Sequence, residues 1–413
     1  MALNLNQLNQ QVSQMEQTMT MRAGNRRTRV ALAFDRLCEF SEAYDMLRDK
    51  VERTRGRAAG QDLDWRGAFP PEAPYCEPLA QGYDLPECPC TATLIANDGS
   101  QIVPDRHALL PYYLLSVGSL VLRHGSGTPP AWEIAQELHY AEDELYTSYG
   151  EIVPSATVHA QRDLLAIREL ARLVELHAQP PAVALVDGPL LLWSYQEMLP
   201  GAQREMEKNI RVYLEALTRI RGAGVYTAGY IDRPGYRGVV NLLALGALAE
   251  ITAESLRRPD LTGVRDHDLF EIVLRPGQRS ALFITQSHVN KTYRAEGDHE
   301  VWFFYLNVAA LTAEGARAEP HTIARVEVPA WVATDRAALD CVHALLYQQC
   351  QVLGTRYPYV LARADELARI DPLDKQEVER LIQRALIARG ERAMPSAKEQ
   401  TKQLTRGKAR RRR

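Results

Sequence analysis

Two aspartates carry the most chemical information in this chain. Asp98 ends the run Thr91-Ala-Thr-Leu-Ile-Ala-Asn-Asp98 and is followed by Gly99-Ser100. Asp187 ends the apolar run Val183-Ala-Leu-Val186 and is followed by Gly188-Pro189. Each is expected at or near the end of a strand, where an Asp-Gly pair forms a turn. Taken alone, either pair reads as a simple turn. Together they match what phosphodiester cleavage requires: carboxylates on rigid strands, with glycine letting backbone and phosphate come close. Carboxylate oxygens suit hard divalent ions such as Mg²⁺ and Mn²⁺, which activate water and neutralise charge on phosphate oxygens.

A third carboxylate is expected from the helix before the second strand. At about 100° per residue, Leu165, Leu173 and Leu176 mark an apolar arc that includes Glu169. A carboxylate there is costly unless it is paired or holds a metal. The alternative is a Glu at the helix edge that reaches solvent. Glu175 lies nearer the polar face.

Other chemistries find little support. The chain has no P-loop, no H-E-x-x-H and no G-x-S-x-G elbow. His107, His288, His299 and His321 could approach a site, but each alone reads as structural. The six cysteines (Cys38, Cys76, Cys88, Cys90, Cys341, Cys350) show no zinc-site spacing.

The elements that must hold these residues follow from periodicity. Leu5, Leu8, Val12, Met15 and Met19 predict an amphipathic helix or short coiled coil, and a second helix is expected over Ala31–Arg53. The stretch Gly56–Pro89 is rich in Gly, Pro and Asp and reads as a connection. Ser155 is the expected N-cap of a helix reaching about His177 and stopped by Pro180-Pro181. Another helix is expected over residues 203–221, then a strand near Val225–Ile231. Leu269–Leu274, Ser280–Thr285, Val301–Val308 and Thr322–Val328 are expected as antiparallel strands. Helices at about 335–353 and 374–389 close the pattern, the last with Asp374 and Glu377 as a capping box. The class is mixed α/β with a central sheet.

Composition is that of an ordinary globular protein, 46% hydrophobic and 24% charged, with a formal net charge of −3 that gives no global sign of a nucleic-acid binder. The basic end, Lys408 and Arg410 to Arg413, reads either as a solubilising tail or as a phosphate-grabbing arm. No stretch resembles a signal peptide or a membrane span, so a cytoplasmic protein with no membrane association is expected.

Five segments in order resemble the NurA family of nucleases: Ala96-Asn-Asp98-Gly-Ser-Gln-Ile-Val-Pro-Asp-Arg-His107, Leu185-Val-Asp187-Gly-Pro-Leu190, Arg275-Pro-Gly-Gln-Arg-Ser280, Arg325-Val-Glu-Val-Pro329 and Tyr357-Pro-Tyr-Val-Leu361. The resemblance implies an RNase H-like core with a central mixed sheet and appended N- and C-terminal helices. It implies a Mn²⁺- or Mg²⁺-dependent deoxyribonuclease acting on single-stranded DNA and duplex ends, as endonuclease and 5′→3′ exonuclease, in double-strand-break end resection. It also implies a homodimer that docks on a HerA-type hexameric ATPase. By position, Asp98, Glu169 and Asp187 match the acidic ligands and Tyr357 the late tyrosine. Where the family has a histidine after that tyrosine, this chain has Asp365, either a fourth metal ligand or the cap of a helix beginning at Glu366. A catalytically weak clamp of the same complex is the alternative. The domains expected are an N-terminal helical segment (1–55), a connection (56–90), a nuclease domain (91–390) and a basic tail (391–413).

Overall fold

The computed structural model describes residues 4–55, 65–105, 110–147, 149–192, 203–257, 260–311 and 322–389. His107, His321 and the basic tail lie outside them. In chain order, helices α1 (Leu5–Glu39) and α2 (Tyr44–Arg55) lead to the short strand β1 (Ala68–Phe69). Then come β2 (Ala92–Ile102), β3 (Tyr113–His124), β4 (Ala131–His139), α3 (Glu142–Leu145), α4 (Ser155–His177), β5 (Ala182–Asp187) and α5 (Gln203–Gly222). The chain continues through β6 (Tyr226–Ile231), α6 (Gly238–Gly246), α7 (Ala253–Arg257), α8 (Asp266–Val273), β7 (Phe283–Thr285), α9 (His288–Ala295), β8 (Val301–Asn307), β9 (Ile323–Pro329), α10 (Ala330–Ala333) and α11 (Arg336–Val352). Helices α12 (Tyr359–Ala368) and α13 (Pro372–Ala388) end the described chain.

Two compact units result, neither contiguous in sequence. One comprises Met1–Pro89 with Ala228–Pro358, the other Cys90–Thr227 with Tyr359–Arg413. The contiguous segments expected from composition differ from these units, because linear composition cannot show a chain that leaves a unit and returns to it. In the first unit, β1, β7, β8, β9 and β6 pair antiparallel in that order. Their apolar side chains pack with α1, α2, α6 and α8 in one cluster that includes Leu37, Leu47, Val240, Phe270, Phe283 and Tyr305. Arg325 is buried there between the rings of Phe303 and Tyr236 and is paired with buried Glu327 through Nε and Nη2.

The second unit holds the RNase H-like arrangement. β2, β3 and β4 form an antiparallel meander, α4 crosses over, and β5 returns parallel to β2. The sheet is therefore mixed. The inner strands are almost continuously buried from Ala92 to Asn97 and from Tyr113 to Val121, as expected of strands covered on both faces. Helix α4 covers one face, where Asn97 Nδ2 donates to the Ala166 carbonyl. Helix α12 covers the other so closely that a Cβ on Gly118 would lie 2.4 Å from the Ala368 backbone nitrogen. Ile102, Tyr112 and Leu114 form a smaller cluster with Ile370, Val378 and Ile382 around α13.

Several expectations need correction. The two N-terminal helical patterns are divided at Glu39 rather than near residue 20, and α1 runs for 35 residues. Leu269–Leu274 is not a strand. It lies largely in helix α8, whose Asp268 side chain accepts from the Arg265 N–H at the first turn. Ser155 begins α4, and Pro154 occupies the cap position without a side-chain bond. The capping box of α13 is Asp371 with Asp374, one turn earlier than expected.

Candidate metal centre

Asp98 is not at a strand end. It lies inside the 11-residue β2, opposite Gly118 of β3. Asp187 is the last residue of β5, and the chain leaves through Gly188 at φ +105°, a conformation that favours glycine. The parallel register Ala96↔Leu185 and Asn97↔Val186 brings Asp98 and Asp187 to neighbouring positions on adjacent strands. Directly aligned residues share a sheet face, so the two carboxylates, distant in sequence, become side-by-side groups.

Burial is uneven. Asp187 is exposed, whereas Asp98 is half-buried and its carboxyl is pushed up to about 6. Burial is the main cause, the Gly99 N–H donating to Asp98 Oδ1 at 2.7 Å opposes it, and the charges of Asp187 and then Asp365 add to the rise. Asp365 belongs to α12 and so approaches from the opposite face to α4. It sits within that helix, well past its first turn, and does not cap a helix starting at Glu366.

A cavity of about 170 Å³ opens beside the pair, lined by Asn97, Asp98, Gly99, Arg162, Asp163 and Asp187 together with apolar side chains and Tyr213. Asp163 was not singled out in the sequence. Its signal was available: Asp163, Ala166, Ile167 and Leu170 follow i, i+3, i+4, i+7 along the face of α4 that meets β2, so a carboxylate interrupts an inward stripe. Of the arc that pointed to Glu169, Leu165 and Leu173 are buried and Leu176 is exposed.

Glu169 itself does not line this cavity. Its Oε2 accepts from Arg172 Nε at 2.8 Å, and Arg172 also reaches Glu133 Oε2 of β4. Tyr357 belongs to the first unit, where its ring meets that of Tyr230 edge-on at 5.5 Å. The structure thus brings together Asp98 and Asp187, sets Asp365 in electrostatic range of Asp98, and places Glu169 in a different ion-pair network.

The family comparison resolves what this constellation belongs to. The NurA domain matches residues 92–370, two thirds of the chain and all four of these carboxylates. The chain belongs to the NurA family. No curated protein matches it. Among solved structures, it is similar to the NurA nuclease from Sulfolobus solfataricus, at 12% identity over 85% of this chain and 96% of that one, with a TM-score of 0.47. A NurA structure bound to dAMP and manganese matches at 10% identity over 75% and 90%, TM-score 0.37. The catalytic domain of human endonuclease V matches at 12% identity over 73% and 92%, TM-score 0.32. The family match carries the assignment, not these distant likenesses.

Donor chemistry decides what this NurA centre can hold. Asp98, Asp163 and Asp187 offer oxygen atoms alone, the donor set of hard divalent cations. Among the described residues, no three such groups converge closely enough to hold an ion as they stand. Asp163 is turned instead to Arg162, whose Nη2 and Nε donate to its Oδ1 at 2.5 and 3.1 Å. Burial and then the charges of Asp187 and Asp365 raise the carboxyl of Asp98, and a cation beside it would offset that repulsion. The residues fit a divalent metal.

Proposed function

We propose that this NurA chain is a divalent-metal-dependent deoxyribonuclease whose centre is the cavity at Asp98 and Asp187. The observation that carries the reading is the parallel alignment of β2 with β5, which sets those carboxylates side by side on fixed backbone. Bound Mn²⁺ or Mg²⁺ would supply Lewis-acid activation of water and neutralise charge on the phosphate. The chain's own contribution is positional. Asp98 inside β2 and Asp187 at the end of β5 would hold the cation, Asp163 would join them from α4, and Asp365 adds negative charge from α12. Strand backbone fixes the first two without further ordering on binding, which keeps the geometry from drifting as substrate arrives.

The finer reading extends the same centre. It assigns single-strand endonuclease and 5′→3′ exonuclease action during DNA end resection, a homodimeric state, and docking on a HerA-type hexameric ATPase. Exposed apolar side chains support association. Leu5, Val12 and Met15 are exposed along α1, as are Trp132, Ile134 and Leu138 along β4. No described helix is long and apolar enough to cross a membrane. Tyr357 is proposed as a catalytic residue by family position alone.

The Arg162–Asp163 pair, and the lack among the described residues of three converging ligands, favour a weakly active clamp. Labelled single-stranded DNA incubated with Mn²⁺, with Mg²⁺ and with EDTA separates the two readings. Cleavage that needs the metal is expected, and the absence of cleavage with either ion removes the nuclease reading.

A further inference from the structure

Arginine is an unexpected neighbour for carboxylates that are to gather cations, and the way this one is held shows that its position matters. Arg162 projects from α4 into the cavity shared by Asp98, Asp163 and Asp187. Its aliphatic stem crosses β2 directly over Gly99, where a Cβ would lie 2.8 Å from both Cγ and Cδ of the arginine. Gly99 sits in ordinary extended strand, with no positive φ to account for a glycine. The glycine is needed for room, and the room is taken by Arg162.

The guanidinium is fixed from two sides. Nη1 donates to Gln101 Oε1 at 3.2 Å, while Nε and Nη2 donate to Asp163 Oδ1. These bonds engage three of the five N–H donors of an arginine, leaving two on the terminal nitrogens. The side chain is 29% exposed, so the planar head is neither sealed in the core nor free in solvent. A positive charge here lowers the cation affinity of the carboxylates beside it. That cost has a use if the site must also receive an anion, and a phosphodiester brings two non-bridging oxygens that the planar fork can meet in bidentate fashion.

We propose that Arg162 is a catalytic residue that grips the scissile phosphate, with Gly99 as the notch that admits it and Gln101 and Asp163 as its supports. The proposal rests on the nuclease reading above. In hydrolysis, a bond forms from the water oxygen to phosphorus and the phosphorus–leaving oxygen bond breaks. One water proton passes to solvent and the leaving oxygen takes up another. Charge grows on the non-bridging oxygens meanwhile, and Arg162 donates two hydrogen bonds to them without itself exchanging a proton. Fixed donors aimed at developing charge lower the barrier more than the same donors in water.

The test uses the full chain as wild type, Arg162→Gln, Arg162→Lys and Gly99→Ala, each checked by thermal melt. Cleavage of single-stranded DNA is measured with Mn²⁺, Mn²⁺ affinity is measured by calorimetry without DNA, and DNA affinity is measured with Ca²⁺ at two salt concentrations. Arg162→Gln should lower kcat by about 100-fold or more, the scale for losing one fixed oxyanion donor. It should leave Mn²⁺ affinity equal or tighter, and flatten the salt slope of DNA binding by about one phosphate contact. Arg162→Lys should restore binding more than kcat, since a point charge replaces a fork. Gly99→Ala should reproduce part of the kcat loss by displacing the arginine. Arg162→Gln within threefold of wild type overturns the proposal, as does a lost activity that tracks weakened Mn²⁺ binding with an unchanged salt slope. If wild type itself cleaves nothing with either metal, the nuclease reading fails, and an unchanged salt slope in Arg162→Gln then also removes the phosphate grip.

Discussion

At the level of single residues, carboxylate identity can be separated from carboxylate presence. Asp98→Asn and Asp187→Asn keep shape and remove a charge that a hard cation needs. Each is expected to lower cleavage by two orders of magnitude or more while leaving the melting temperature within a few degrees of wild type. A variant that cleaves at the wild-type rate with Mn²⁺ removes that residue from the centre. Asp163 and Glu169 offer a sharper contrast, because only the first lines the cavity. Asp163→Asn should therefore cost far more activity than Glu169→Gln, and the opposite ranking in initial rates would return the third ligand to Glu169. Both Asp-Gly pairs were legible in the sequence, yet their glycines do different work. Gly188 supplies a positive φ at the end of β5, and Gly99 supplies space inside β2. A sequence shows the dipeptide but not which property of glycine is used, which is why Asp98 was expected at a turn.

At the level of elements, α12 must lie close on β3 for Asp365 to be felt at Asp98, and Gly118 is what permits it. A methyl group there would lie 2.4 Å from the Ala368 nitrogen and 2.6 Å from the Ala364 oxygen, both backbone atoms that cannot turn aside. Gly118→Ala should lift α12, destabilise the protein by about 1–3 kcal/mol as overpacking does, and lower activity although residue 118 touches no substrate. Denaturation together with initial rates checks this, and an unchanged stability would show that the helix adjusts freely. Helices α4, α5 and α11 and the strands β2, β5, β8 and β9 were readable because periodicity and apolar runs report burial directly. The buried β3 was not expected as a strand. Helix α8 was not readable either. Leu269–Leu274 reads as a strand by composition, but its start is set by local hydrogen bonding at Arg265 and Asp268 and by its packing beside Phe283 and Tyr305. The edge strand β4 escaped notice as well. It alternates charged and apolar residues with much of both sets exposed, so no inward face stands out.

At the scale of the whole molecule, two kinds of surface and one buried histidine govern behaviour. β4 ends its sheet with Trp132, Ile134 and Leu138 exposed, and an uncovered apolar edge strand favours pairing with another chain. Ile134→Lys is expected to lower the mass measured by light scattering toward that of one chain, and deletion of residues 1–20 tests the α1 stripe in the same way. Unchanged mass in both excludes these surfaces from self-association. Acid stability follows from His343 in α11. It is fully buried, its Nε2 donates to the Gly277 carbonyl at 2.8 Å, and Nδ1 has no hydrogen-bond partner among the described residues. Burial pushes its pKa down to about 4, the nearby charge of Arg279 acts in the same sense, and the Gly277 carbonyl opposes them. An unfolded histidine titrates near 6.5. Between those values the unfolded chain binds a proton that the folded chain refuses, so the neutral imidazole's contribution is complete above about 6.5 and is lost as pH falls toward 4. The loss can reach about 3 kcal/mol, the free-energy equivalent of the gap between the two values. His343→Gln carries no such proton and should therefore lose less stability than wild type between pH 7 and pH 4.5 in denaturant titrations. Equal losses in the two proteins would place the acid sensitivity elsewhere, in the carboxylates rather than in this imidazole.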